Sequence, residues 1–200
     1  MNGTTMTAIP TSSEAGALVL SPTMLPRSEN MEFRESSFFS RHLALPSPNE
    51  VRNRARLDEG LPTRTTKTGG KRRNVVLFPD VGLVVKWGSN ISIGEGQCLW
   101  ACQHLLPGVV PVPEIFGWYT NREAGKDEVF LYMEYVQGVT LEDCWSSLSS
   151  EDKHTITSQL REILIRMRQV QQDANDMFLG RRHLLSLWHF PLVTMVSRST

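Results

Sequence analysis

The sequence predicts an α+β fold: an antiparallel sheet that carries one helix and is followed by a helical region. Three observations predict it. Two apolar runs, N-V-V-L-F and L-V-V-K-W, flank P-D-V-G and read as a β-hairpin. A helical period opens at Ser92 and runs through Leu99, Cys102, Leu105 and Leu106. Two more strand-like runs, E-I-F-G-W-Y and V-F-L-Y-M-E-Y-V, precede a helix-spaced stripe of Ile156, Leu160, Ile163, Leu164, Met167 and Val170.

In chain order, Met1 to about Glu50 is rich in Ser, Thr and Pro and has no sustained period. Such a segment cannot offset its ordering entropy by burial, so residues 1–50 are expected to be a disordered tail. Met31 to Leu43 is the one stretch there that reads as a short helix. The sheet-bearing domain is expected over 51–136, with the block from Asn74 to Val136 its best-ordered part. Its hairpin turns at Pro79 to Gly82, and Ser92 with Glu95 has the spacing of a capping box. Pro107 ends the first helix, and V-P-V-P holds the chain extended into the next strand. Gly138 breaks the last strand. Thr140 caps a short helix through Leu141 and Trp145, and Ser149 or Ser150 caps the long one, with Glu151 and Asp152 at its positive end. Residues 137–180 then read as the start of a helical lobe and 181–200 as a divergent tail.

At 200 residues and 22.6 kDa the chain holds one ordinary domain, or one domain plus a tail. Lys plus Arg and Asp plus Glu each number 21, so net charge is zero and gives no whole-chain case for nucleic acid or an acidic membrane. The local exception is Arg52 to Arg73, where Arg52, Arg54, Arg56, Arg64, Lys67, Lys71, Arg72 and Arg73 face only Asp58 and Glu59. Three cysteines make no disulfide framework, and the odd count suits a reducing compartment. Cys98 and Cys102 lie one helical turn apart, yet no nearby His or Cys completes a zinc site; buried helix cysteines are the default. The first residues lack a secretory pattern, and Leu184 to Val196 is too short and too interrupted to span a bilayer. A soluble, cytoplasmic protein with no metal, nucleic-acid or membrane partner is expected.

Lys86 is the most informative residue. Alternation puts Val84 and Lys86 on one strand face and Leu83, Val85 and Trp87 on the other. A lysine there is either at a sheet edge in water or aimed at an anion. Glu95 either closes the capping box with Ser92 or has a partner elsewhere. Gly69 and Gly70, between Lys67 and Lys71, are an ordinary turn or a phosphate loop, and they lack a spaced-glycine pattern.

The order V-V-K-W-G, S-I-G-E, V-P-V-P-E-I, L-Y-M-E-Y-V-Q-G-V-T-L-E-D-C-W and Q-L-R-E-I-L resembles the small lobe of the protein-kinase-like fold. More specifically it is similar to the aminoglycoside phosphotransferase-like family, in its divergent fungal type, over about Val75 to Gly180. The resemblance implies that Lys86 contacts the phosphates of ATP and pairs with Glu95. Val84 would cover the adenine, Met133 would line the back of its slot, and the Glu134 carbonyl and Val136 N–H would meet its edge. Gly138 would lead into the second lobe, where Leu141 and Trp145 pack. Complete relatives would use magnesium to move the γ-phosphate to a small-molecule hydroxyl.

The family's H-G-D loop, its following Asn and its metal-binding Asp have no counterpart here. His42, His104, His154, His183 and His189 are in no such context, and Asp173 and Asp176 read as solvated acids. After D-A-N-D-M-F-L-G the chain reads like a changed frame, a retained intron or an alternative ending. An inactive phosphotransferase-like protein that holds a nucleotide is therefore expected; the alternative is a non-catalytic protein that binds a nucleotide or a partner.

Overall fold

A computed structural model of the chain describes residues 19–58, 74–122 and 127–172. The elements run β1 (Val19–Leu20), β2 (Met31–Glu32), α1 (Pro48–Asp58), β3 (Val75–Phe78), β4 (Leu83–Gly88), α2 (Ile93–Leu105), β5 (Ile115–Asn121), β6 (Glu128–Glu134), α3 (Leu141–Cys144), α4 (Ser150–Arg168) and β7 (Gln171–Gln172). The fold is α+β. Five antiparallel strands form one sheet in the order β2-β5-β6-β4-β3, and β1 pairs in parallel with β7. From Val75 to Arg168 the succession is strand, strand, helix, strand, strand, helix, helix, as the apolar periods predict.

The hairpin turns through a single 3-10 turn at Pro79–Val81. Gly82 follows at φ 65°, and its N–H bonds back to the Pro79 carbonyl at 3.1 Å. Only a residue without a side chain holds that left-handed angle cheaply. The alternation of β4 is realised: Leu83 and Val85 are fully buried against one set of side chains, and Val84 packs with the opposite set.

Both faces of the sheet are covered. On one, Val76, Leu83, Val85, Phe116, Phe130 and Tyr132 pack against Phe38, Leu45 and Val51. On the other, Ile115, Trp118, Leu131 and Met133 pack against Leu99 of α2, with Phe33 and Ile91 at the margins. A bulge in β5 between Ile115 and Gly117 keeps Ile115 and Trp118 on the same face although they stand three positions apart. The absence of a Cβ at Gly117 lets the Met31 carbonyl of β2 approach.

The expectation of a disordered 1–50 tail is overturned for 19–50; residues 1–18 lie outside the described residues. Leu20, Leu25, Phe33, Phe38 and Leu45 are buried. The stretch 31–43 is not a helix but β2 and a series of turns, held by Ser36 N–H to Phe33 carbonyl and by Arg41 and His42 N–H to Phe38 carbonyl. The boundary at 50/51 falls inside α1, so the segment before it belongs to the sheet's own domain. Its cohesion comes from partners far along the chain. The Trp118 indole N–H donates to the Ser28 carbonyl at 2.9 Å across 90 residues, and the Phe33 N–H donates to the Phe116 carbonyl at 2.9 Å. A segment that binds an existing surface needs no period of its own. The call of a divergent 181–200 tail lies outside the described residues, as does the end of the 137–180 segment.

Among the described residues no helix is long and apolar enough to cross a membrane.

Candidate functional site

Lys86 lies in the sequence of β4 and Glu95 in the first turn of α2, the helix that follows it. Ser92 is the N-cap residue with extended backbone (φ −124°, ψ 149°), but its side chain makes no cap hydrogen bond. The Glu95 N–H bonds to the Ser92 carbonyl at 3.0 Å instead. The Glu95 carboxylate is thereby released from the capping role its spacing suggests. It meets the sheet: Lys86 Nζ donates to Glu95 Oε2 at 2.5 Å.

Gly96 explains how a helix-borne carboxylate reaches a strand. A Cβ there would sit 2.7 Å from the Trp118 ring and 3.2 Å from Leu131. With no side chain in the way, the first turn of α2 lies directly on β5 and β6. Glu95 is then only 7% exposed. Burial of a carboxylate is costly unless it is paired and hydrogen-bonded, and Lys86 supplies both terms. The pair is therefore not the exposed bridge, worth about 0–1 kcal/mol, that a surface reading would give. Removing either partner strands a charge in a half-dry site.

Val84 and Met133 are cross-strand neighbours in the β4–β6 register, as are Lys86 and Leu131. Side chains two apart on a strand share a face, so Val84, Met133 and Lys86 lie along one surface of the sheet. Met133 is 4% exposed and Val84 is half-buried. Glu134 closes β6 with an exposed side chain. Its N–H bonds to the Glu114 carbonyl at 2.8 Å, and its carboxylate accepts the Glu114 N–H at 3.2 Å. Tyr135 N–H returns to the Gly82 carbonyl at 2.9 Å, which ties the strand end to the hairpin turn. Val136 follows, half-buried, past the end of the sheet. Lys86, Glu95, Val84 and Met133 are thus brought together, while Glu134 and Val136 stand at the exit of the last strand.

Cys98 and Cys102 on α2 are packed rather than poised. Burial pushes the Cys98 thiol up to about 11, with the Glu95 carboxylate adding to it. Burial likewise pushes Cys102 up to about 12, with Cys98 adding to it. Both stay protonated at neutral pH, so neither offers the thiolate that metal binding or attack needs.

The basic stretch divides. Arg52 sends Nε and Nη2 to Glu128 Oε2 at 3.2 and 2.7 Å, and Nη1 to Asn49 at 2.8 Å. Arg56 bonds Asn53 at 3.1 Å and Arg54 lies 5.8 Å from the Phe78 ring centre. These three serve the fold. Arg64, Lys67, Gly69, Gly70, Lys71, Arg72 and Arg73 lie outside the described residues, as do Asp173 and Asp176.

Sequence reasoning missed a cleft of about 310 Å³ between the end of α2 and the 33–36 stretch, lined by Phe33, Glu35, Ser36, Gln103, His104, Glu114 and Ile115. It is not at Lys86. Glu114 accepts from the Ser37 N–H at 3.0 Å and from its hydroxyl, and Gln103 Nε2 donates to the Pro113 carbonyl at 3.3 Å. Glu114 is therefore engaged in holding the N-terminal segment, and Gln103 in holding the chain at Pro113 and Ile115 where it enters β5. Sequence reasoning also missed the capping box of α1. Ser47 and Glu50 satisfy each other, with both the Ser47 N–H and its hydroxyl 2.7 Å from Glu50 Oε2. S-P-N-E, a capping pair with Pro at the first helical position, was the legible signal.

No family model, no curated protein and no solved structure matches the chain. Among the described residues no three His, Cys, Asp or Glu side chains converge in a way that could hold a metal.

Proposed function

We propose that this chain carries the nucleotide-holding small lobe of an aminoglycoside phosphotransferase-like protein, working in the cytoplasm. The single observation that carries the reading is the 2.5 Å contact of Lys86 with Glu95 on the surface shared by Val84 and Met133. Strand lysine, helix glutamate, then two strands of which the second lies beside the lysine strand is the order in which kinase-like folds assemble this pair. A buried carboxylate fixes the ammonium in place, and a fixed ammonium is what a nucleotide's phosphates need. Val84 and Met133 supply apolar surface for an adenine, and the Glu134–Val136 exit supplies backbone groups for its edge.

Holding a nucleotide is the activity assigned. Phosphoryl transfer also requires a carboxylate to orient the acceptor hydroxyl and a metal clamp on the phosphates. The 200 residues contain no His-Gly-Asp segment and the described residues offer no metal cluster. ATP binding without turnover is the expected behaviour of this chain.

The test is titration calorimetry of the purified chain with ATP, alongside a phosphotransfer assay with magnesium and a panel of small hydroxyl compounds. Binding that falls roughly tenfold or more in Lys86→Met, with the fold intact by circular dichroism, supports the reading. Equal affinity in both proteins, or none in either, refutes it. Turnover above the Lys86→Met background would mean that an acid outside the described residues is catalytic, with Asp173 and Asp176 the first to replace.

A second reading, a non-catalytic protein that holds a partner, is favoured by one observation: α4 has an apolar stripe and no buried residue.

A further inference from the structure

α4 is a well-started helix with no buried residue. Ser149 and Asp152 form a complete capping box at its N-terminus, with the Asp152 N–H 3.1 Å from Ser149 Oγ and the Ser149 N–H 3.3 Å from Asp152 Oδ2. Lys153, Ile156, Leu160, Ile163, Met167 and Val170 recur in alternating steps of three and four. That is the a/d spacing of a two-helix seam, and every one of the six is half-buried rather than enclosed.

The charges flanking the seam decide what fits it. With Lys153, Leu160 and Met167 as a positions, the neighbouring g positions are Asp152, Gln159 and Arg166. The helix is acidic at its start, with Glu151 and Asp152, and basic at its end, with Arg166 and Arg168. A second copy of the same helix laid antiparallel matches it at every point. Ile156 meets Met167 and Leu160 meets Ile163 within the helix, and Lys153 meets Val170 just past its end. On the g side Asp152 meets Arg166 twice by symmetry and Gln159 meets Gln159 at the axis. On the e side Leu164 meets Leu164 and widens the apolar strip. In a parallel copy g faces e, so Asp152 would meet Thr157 and Gln159 would meet Leu164, and no opposite charges would pair across the seam.

Two details support the register. Lys153, the one polar seam position, has its Nζ 5.8 Å from the Trp145 ring centre, and that ring is 42% exposed. Val170 of a second copy would complete the cover over it. Ile165, at 46% exposure, falls on the outer side of the helix, where this pairing leaves it in solvent.

We infer that α4 is a self-association surface, and that two copies of the chain pair through it as an antiparallel helix dimer of isologous type. A nineteen-residue helix is about 28 Å long. One such pair buries less than a standard interface of about 1,600 Å², so the dimer is a weak one, with Kd on the order of 10 µM.

Sedimentation equilibrium of the full 200-residue chain, from low to several hundred micromolar, tests this. A monomer–dimer equilibrium is expected. Leu160→Glu should raise Kd roughly tenfold or more, whereas Ile165→Glu, the same kind of change on the outer side, should leave it unchanged. Arg166→Glu should weaken the dimer by setting a second acid against Asp152, and Lys86→Met should have no effect, which separates this outcome from that of the nucleotide reading. Gln159→Cys should cross-link to itself with a short bis-maleimide above the level of the unsubstituted chain, as only the antiparallel register brings position 159 to its own axis. A monomer at all concentrations, or a dimer indifferent to Leu160→Glu, overturns the proposal. So does a monomer that dimerises only when residues 181–200 are deleted, because the apolar 184–196 stretch would then be the occupant of the seam.

Discussion

The two faces of the sheet carry similar apolar loads and different polar ones. Each has an ion pair at its margin. Beside α1, Arg52 forks onto Glu128 and Asn49, with the guanidinium 5.3 Å from the Phe130 ring centre. Beneath α2, Lys86 sets one point charge against the buried Glu95. The planar fork spends its donors on holding α1 to β6. The ammonium is instead held in place by a carboxylate whose helix is pressed to the sheet at Gly96. The first arrangement is a clamp, and the second is a fixed cation. The α1 face also tolerates loose ends: the Tyr132 hydroxyl and the Trp87 indole N–H are buried with no partner among the described residues. Burial pushes the Tyr132 phenol well above its ordinary range. On the α2 side the Ser36 hydroxyl is likewise buried without a partner among the described residues, but the buried charge there, Glu95, is paired.

Five substitutions probe that contrast, in falling order of expected effect. Trp118→Ala should cost about 3–5 kcal/mol in urea unfolding, because it empties the centre of the α2 face and frees the Ser28 carbonyl. A loss under 1 kcal/mol would mean the α2 face is not a packed core. Gly96→Ala should cost about 2–3 kcal/mol by forcing α2 off Trp118, and should weaken ATP binding more than its stability loss accounts for. Normal ATP affinity in this variant would break the link between helix seating and the lysine.

Lys86→Met should cost about 1–3 kcal/mol, since it leaves the Glu95 carboxylate buried without its partner, and adding Glu95→Gln should recover most of it. Failure of the double variant to recover stability would show that the pair is not the cause.

Ser47→Ala should cost about 1 kcal/mol through loss of the α1 cap. The hydrogen bonds from Ser47 hold the Glu50 carboxyl below its usual value of 4.5. A depressed carboxylate stabilises the fold above its unfolded value, and that contribution is lost as pH falls through the folded one. The difference between native chain and Ser47→Ala should therefore shrink below about pH 4.5. A difference that stays constant down to pH 3 would rule the cap out as its source. Tyr132→Phe should be neutral or stabilise by up to about 1 kcal/mol, because it deletes a buried hydroxyl that has no partner. A clear loss would reveal a bound water or other acceptor on the α1 face.

The legible parts of the sequence are those whose signals are local. The hairpin is written in two alternating runs and a Pro-Asp-Val-Gly turn, α4 in Ser149 and its stripe, and the face shared by Val84 and Lys86 in simple alternation. The seven elements from Val75 to Arg168 follow from such signals, because each needs only neighbours within a few residues. Residues 19–46 were illegible for the opposite reason. Phe33, Phe38 and Leu45 have no common period, and each is buried by a surface that β4, β5 and β6 create.

The same division runs through the site. Residue types and spacing determined that Lys86 would stand beside Val84 on a strand and Glu95 would start the next helix. They offered Glu95 a serine three residues back, and only the family resemblance offered it a lysine across a loop. Tertiary structure decided between them through Gly96, Trp118 and Leu131. Where α2 comes to rest on the sheet is a matter of close packing, and packing distances of a few tenths of an ångström depend on side chains that lie distant in sequence.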